Sequence, residues 1–426
     1  MLGTILRYYP TYSETFVYRE VSELRRQGEA LHVVAVRHHR FEALAAQSKL
    51  GGDLVEVPRR PLYLPILAGV WRAVRRRPRQ CLEAVRWGLR HLKFKECLKA
   101  LWMADRFQRY GVGLLHIHFA GEGAEIAEVI RRAAGIPYGI TIHARDLFVP
   151  RPSVPDLFEA AQYLVCISRF NQDWIARRYP DQVVEKCHVV HLGVPTRAFE
   201  PAPTSPPDEF RLLSVSRLVE KKGIDTLVRA VARLVAEGRH VSLTVAGEGP
   251  LRKHLTRLVR RLELSDQVHL PGAMTQDALG RLYQRGVGAF ALPCRVAEDG
   301  DRDGIPVALM EAMARAVPVV STPVSGIPEL ISHQVHGLLV PPNDDQALAN
   351  ALATLMDDPM LRTRLARAGL TRVREAFDLS TNVEKLRYLL GQVMSGLRTQ
   401  PGAALDPMNS SEYTVREGNN NVSGTS

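Results

Sequence analysis

Asp303-Gly304-Ile305-Pro306-Val307-Ala308-Leu309-Met310-Glu311-Ala312-Met313-Ala314 sets a glycine and a proline before a run of good helix formers. Gly304 lets the backbone approach a neighbour closely, and Pro306 suits a first helical turn because its missing N–H would have no intrahelical partner there. The pattern predicts a helix whose unpaired N–H groups and dipole make an anion site, with Gly304, Ile305 and Pro306 as the backbone cradle for a phosphate or diphosphate. Glu311 follows five residues after Pro306, about 7 Å along the axis at helical rise. Asp303 stands just before the helix. Two carboxylates eight positions apart could grip hydroxyls on both sides of a diphosphate, as a sugar nucleotide would require. A buried amphipathic helix with one tolerated acid explains the same residues.

Around this stretch, short apolar runs alternate with helical patterns, as a parallel sheet requires. Residues 1–7, 31–36, 54–57, 114–119, 140–142, 164–168 and 189–192 read as strands of a first unit. Residues 210–216, 243–247, 268–272, 289–293, 318–322 and 337–341 read as strands of a second. A proline-rich stretch, Pro201-Ala202-Pro203-Thr204-Ser205-Pro206-Pro207-Asp208, marks the linker. We expect two doubly wound α/β domains, residues 1–195 and 196–380, a helix at 381–397 that crosses back onto the first, and a disordered tail from 398 to 426 rich in Gly, Asn, Ser and Thr.

Three further stretches carry chemistry. Strand ends place His118 and His143 next to each other in a doubly wound sheet, although a single buried histidine is ordinarily structural. Arg217, at the end of a strand, and Lys222, five residues on, can converge on one diphosphate. Gly247 and Gly249 form a Gly-x-Gly turn after a strand, which a tight turn explains without any ligand.

The combined motifs resemble glycosyltransferase family 4, retaining enzymes of GT-B fold. "GIPVALMEAMA" with Asp303 resembles its E-x7-E signature, the family's first Glu being Asp here, one methylene shorter. "SRLVEKKGID" is similar to the family's diphosphate-binding segment, and "SETF", "HIHF" and "HARD" resemble positions of its exopolysaccharide-building members. The resemblance implies Arg217 and Lys222 on the leaving diphosphate, Asp303 on the donor sugar and Glu311 on the ribose. It also implies Gly247 and Gly249 near the nucleoside, His118 and His143 binding acceptor or positioning the leaving phosphate, and Ser13, Glu14 and Thr15 toward the acceptor; Asp146 and Arg145 are weaker candidates. The implied donor is a UDP- or GDP-sugar and the implied acceptor a lipid-linked saccharide. Acids cluster between Glu298 and Asp303, but Arg295 and Arg302 interleave with them and such enzymes hold the diphosphate with cations, so no metal is expected.

Composition narrows the alternatives. Hydrophobic residues at 46% and charged residues at 24% exclude general disorder. Five cysteines without a C-x-x-C pair fit reduced thiols. The start lacks the apolar core of an export signal, so the expected location is the cytoplasm. Between Arg59 and Arg109 stand 14 Lys or Arg against Glu83, Glu96 and Asp105, a surplus equal to the whole chain's net +11. Ile66, Val70, Val74, Cys81, Val85, Leu89 and Leu92 recur there at helical spacing. We expect the apolar stripe to pack on its own domain and the Arg face to touch the inner surface of the membrane, making the protein peripheral. Nucleic acid is the rival partner, but it leaves the acidic helix motif unexplained. A sugar-nucleotide binder without turnover shares every binding motif.

Overall fold

The computed structural model describes residues 1–9, 15–38, 54–58, 64–203 and 209–399. Ser13, Glu14 and most of the tail therefore lie outside the described residues. Among those described, two parallel sheets form. The first holds β1 (Leu2–Tyr9), β2 (Leu31–His38), β3 (Leu54–Glu56), β4 (Leu114–His118), β5 (Tyr138–Ile142), β6 (Leu164–Cys166) and β7 (Cys187–Val189), in the order 3-2-1-4-5-6-7. The second holds β8 (Phe210–Val215), β9 (Val241–Ala246), β10 (Val268–Gly272), β11 (Ala289–Leu292), β12 (Val319–Ser321) and β13 (Leu338–Leu339), in the order 10-9-8-11-12-13. Helices cover both faces of each sheet, so the central strands are buried throughout; all five residues of β4 and of β5 are buried. In each sheet the winding reverses beside its first strand, between β1 and β4 and between β8 and β11. Such switch points open a crevice at the carboxyl ends of the strands, and here the two crevices share one cleft.

Helices used below are α1 (Thr15–Arg26), α2 (Leu64–Arg76), α3 (Pro78–His91), α4 (Phe94–Arg109), α5 (Ala144–Phe148), α6 (Arg169–Ala176), α7 (Val307–Ala314) and α8 (Leu379–Thr399). The last begins two residues before its expected start. Val194 is held by two backbone hydrogen bonds across the domain junction: its N–H donates to Phe377 O and its carbonyl accepts from Leu379 N–H, both at 2.9 Å. Beyond it, Val383, Leu386 and Leu390 join Leu6, Val17, Val21 and Leu24 in one core cluster. So α8 is built into the first domain although the chain reaches it from the second.

The basic stretch departs from the expected packing. Ile66, Cys81 and Leu92 are buried, but Val74 and Leu89 are 39% and 50% exposed. Three helices occupy the region, broken at Arg77-Pro78 and at Leu92-Lys93. Each break resets the helical phase, so one periodic stripe cannot run through all of them. Part of the charge is spent internally, since Arg72, Arg76 and Arg109 surround the fully buried Asp105 at 2.8–3.2 Å. What faces outward is mixed: Leu64, Leu67, Trp71 and Phe94, each more than half exposed, beside exposed Arg75, Arg79, Arg86, Arg90, Lys93 and Lys95. Among the described residues no helix is long and apolar enough to cross a membrane.

Candidate active site

A cleft of about 1570 Å³ runs between the sheets, lined from both domains. On the second domain's side, β8 ends at Val215 and delivers Arg217, exposed into the cleft and in no ion pair among the described residues. The next turn carries Lys222, whose Nζ lies 2.7 Å from Asp303 Oδ2. Lys221 Nζ sits 2.9 Å from Asp301 Oδ1 and 3.7 Å from Asp303 Oδ1. Burial pushes the Asp303 carboxyl up, but the two lysines outweigh it and hold the group below the ordinary range. Lys222 shows the converse, its burial outweighed by Asp303, so it stays charged. Asp301 and Asp303 of this loop are thus engaged with lysine.

Asp303 leads directly into Gly304 and Ile305, and α7 starts at Val307 with Pro306 as its N-cap, one position outside the expected first turn. All three of Gly304, Ile305 and Pro306 line the cleft. The close approach at Gly304 is to the other domain, where an added Cβ would lie 3.3 Å from Ile167 Cδ1. One helical turn further in, Glu311 is buried, and Arg19 of α1 reaches across to it, with Nη1 2.7 Å from Oε1.

The Gly-x-Gly turn divides. Gly247 lines the cleft at φ +153°, and a Cβ there would collide with Ser216 O at 1.8 Å, so β9's exit can press against β8's only with glycine. Gly249 lies outside the cleft lining. Its missing Cβ makes room for Leu218 O at 2.4 Å, a packing role.

On the first domain's side, β4 and β5 bring His118 Nδ1 to 3.3 Å from His143 Nε2, both rings buried at the floor. Phe119 follows in a left-handed conformation, φ 68°, which for a bulky residue costs about 1–3 kcal/mol and marks a site where the surroundings enforce it. Its ring packs 4.1 Å from that of His143. Thr15, at the start of α1, lines the same wall, as does the exposed Arg145. Asp146 does something else: its Oδ2 accepts from the His143 backbone N–H at 2.9 Å and fixes the entry to α5. It holds His143's loop in place.

The comparisons fit this geometry. The family model described as "Glycosyl transferases group 1" matches residues 196–372. The glycosyltransferase WcaL of Salmonella typhimurium, named for colanic acid biosynthesis, is 31% identical over 388 residues, 84% of this chain and 92% of its own. The amylovoran biosynthesis glycosyltransferase AmsK of Erwinia amylovora is 32% identical over 372 residues, 82% and 88% of the two chains. The chain belongs to the group 1 glycosyltransferases. Among solved structures, Anabaena HepE in complex with UDP and glucose superposes with a TM-score of 0.70 at 17% identity, over 92% of this chain and all of that one. A Thermosynechococcus elongatus sucrose-phosphate synthase reaches 0.68 at 19% identity, over 93% and 99%. These likenesses show the GT-B fold.

In this glycosyltransferase the residues missed by sequence reasoning sit on the first domain's side and at the hinge. Arg19 and Glu20 both lie in α1. Glu20 was detectable, because it falls on the same face as Val17, Val21 and Leu24, where a charged side chain needs a partner. Glu329 of the second domain accepts from the backbone N–H groups of Arg169 and Phe170, at 3.0 and 2.9 Å, and thereby caps α6 of the first, while His191 Nε2 lies 3.0 Å from Oε2, the oxygen that also meets Arg169. Arg302 stacks over Phe148 and Trp174, 4.7 and 5.3 Å from the ring centres. Both contacts span the cleft's edge.

Asp146 provides a pH test. Burial raises its carboxyl to about 7, against backbone donors that favour the ion. A carboxyl raised on folding adds stability below its unfolded pKa and loses it as pH climbs to the folded one. Comparing Asp146→Asn with the parent should therefore show a melting-temperature difference that moves in the variant's favour between pH 4 and 7 and is constant above. A difference independent of pH would place the ionised form in the folded state.

Proposed function

We propose that this glycosyltransferase moves a hexosyl unit from a nucleotide diphosphate sugar to a hydroxyl of a lipid-linked oligosaccharide, with the anomeric configuration retained, in the assembly of a cell-surface polysaccharide. The observation that carries the donor half is the juxtaposition of Arg217, a cleft cation without a carboxylate partner among the described residues, with the N-terminus of α7 and the half-buried Lys222. That grouping suits a diphosphate whose negative charge grows as the sugar leaves. Glu311 holds the ribose hydroxyls, which requires Arg19 to swing aside. Asp303 bonds hydroxyls of the donor sugar, and His118 and His143 face the acceptor. The helix and cations supply the charge stabilisation, so no metal is assigned a role. The names of WcaL and AmsK support an exopolysaccharide product, and mycobacterial relatives 30% identical over 208 residues are named for GDP-mannose, so both uridine and guanosine diphosphate sugars are candidate donors.

The test is to incubate purified protein with a panel of uridine and guanosine diphosphate sugars, with and without a lipid-diphosphate saccharide, and measure the released nucleoside diphosphate. Acceptor-dependent release from one donor is expected. Tight donor binding without release would leave a sugar-nucleotide binder instead.

A cytoplasmic location, peripheral on the inner membrane face, belongs to the same reading. The mixed face of Leu67, Trp71 and Arg75, with Phe94 and Lys93 nearby, suits an interface where apolar side chains enter the lipid and cations meet anionic headgroups. Co-sedimentation should retain the protein on vesicles containing phosphatidylglycerol and release it from pure phosphatidylcholine. Trp71→Glu should weaken retention about tenfold, and equal retention on both lipids would remove the electrostatic part.

A further inference from the structure

Glu20 lies in the first turns of α1, on the apolar face of the helix, and reaches beneath the cleft floor. Its Oε1 is 2.9 Å from His118 Nε2 and 3.2 Å from His116 Nε2. Burial pushes this carboxyl up, yet His118 and His116 override burial and hold it well below the usual range, so it is ionised. An ionised carboxylate only accepts. Both histidines must therefore carry their proton on Nε2.

The second nitrogens then have fixed roles. His116 Nδ1 lies 2.8 Å from the Tyr163 hydroxyl and accepts from it, which is the neutral ring that burial favours. Tyr163 stacks parallel to His116 at 5.9 Å and anchors that side of the network. His118 Nδ1 faces His143 Nε2 at 3.3 Å. His143, with its basicity depressed by burial, is neutral, so its Nε2 and His118 Nδ1 share a single hydrogen. Glu20, His118 and His143 make one chain from a buried carboxylate to the cleft. Stability alone does not account for it, because an apolar residue at this position of α1 would pack without the desolvation cost of a buried charge.

We propose that Glu20 is a positioning residue for His118: its carboxylate fixes the proton on Nε2, so that Nδ1 is the nitrogen presented to His143 and the acceptor side of the cleft. The role rests on the transfer reaction proposed above. Removing the carboxylate frees the ring to flip or change tautomer, and the nitrogen facing His143 is then no longer defined.

The experiment compares wild type, Glu20→Gln, His118→Asn and the double variant in the donor-release assay, with long-range proton–nitrogen spectra of the full chain reporting each histidine's tautomer. Gln keeps the shape but carries no charge, and its neutral amide can turn either its carbonyl oxygen or its NH2 toward the two rings, so nothing compels the proton to stay on Nε2. Expected are a single Nε2–H His118 in the wild type that gives way to a mixture of tautomers in Glu20→Gln, and kcat lower by about 10–100-fold with the donor KM within about twofold and the melting temperature little changed. The double variant should be no slower than His118→Asn, since residues acting as one unit are not additive. The proposal falls if the two losses multiply, or if Glu20→Gln matches an active wild type. It also falls if His118 carries its proton on Nδ1, or if stoichiometric zinc is found in the purified protein, because the Glu20, His116 and His118 ligand atoms lie within 4.8 Å of one another and Nε2 would then be metallated. A wild type that transfers no sugar from any donor overturns the reaction itself, and the spectra still decide the tautomer.

Discussion

Arg217→Ala should lower kcat by about 10²–10³-fold while acceptor affinity stays within about twofold, as expected when a preorganised charge aimed at the leaving group is removed. The argument is geometric. On the second domain's side of the cleft Arg217 is in no ion pair among the described residues, whereas Lys222 and Lys221 are engaged with Asp303 and Asp301. Its charge is available to a diphosphate without first breaking an ion pair. Deleting it leaves no buried acid uncompensated, so the melting temperature should hardly move. Equal turnover in the folded variant would remove Arg217 from the site, and a matching rise in donor KM with unchanged kcat would mean uniform binding in place of leaving-group stabilisation.

Lys222→Met should act on stability and on turnover together. Lys222 and Asp303 are only 12% and 14% exposed, and breaking such a pair strands a buried carboxylate. Lys221, 3.7 Å away, relieves part of the loss, so we expect roughly 2–4 kcal/mol, and a fall of roughly 5–10 °C in the second domain's unfolding transition. Adding Asp303→Asn removes the stranded charge, so the double variant should recover most of the melting temperature. It should not recover turnover, because both groups are assigned to the donor. Calorimetry and the release assay separate the two effects. A single variant that melts like the parent would show that the pair is solvated.

The two-domain α/β architecture was legible because its signals are local. Apolar runs of strand length alternate with helical periods, a proline-rich linker interrupts them once, and Gly304 and Pro306 mark the strand-to-helix turn that faces the cleft. The basic stretch was legible in composition but misleading in pattern. A period counted across Arg77-Pro78 and Lys93 spans three helices whose phases are independent, and so Val74 and Leu89 came out exposed.

The first domain's half of the site was only half legible. His118 and His143 announce themselves as histidines at strand ends. Nothing local says that the carboxylate holding His118 is Glu20, 98 residues earlier, or that Arg19 reaches Glu311, 292 residues later. Likewise Asp146 reads as a cleft acid, yet the turn it caps uses its carboxylate on backbone N–H.

The sequence by itself determined which elements form and which of their ends carry charge, because helix and strand periods, caps and breakers act over a few residues. Only the tertiary structure decided which charges remain available. Among the described residues Arg217 is in no ion pair while Lys222, Asp303, Glu311 and Glu20 are all committed to partners, and that outcome depends on two sheets and a returning C-terminal helix bringing distant side chains within hydrogen-bonding distance.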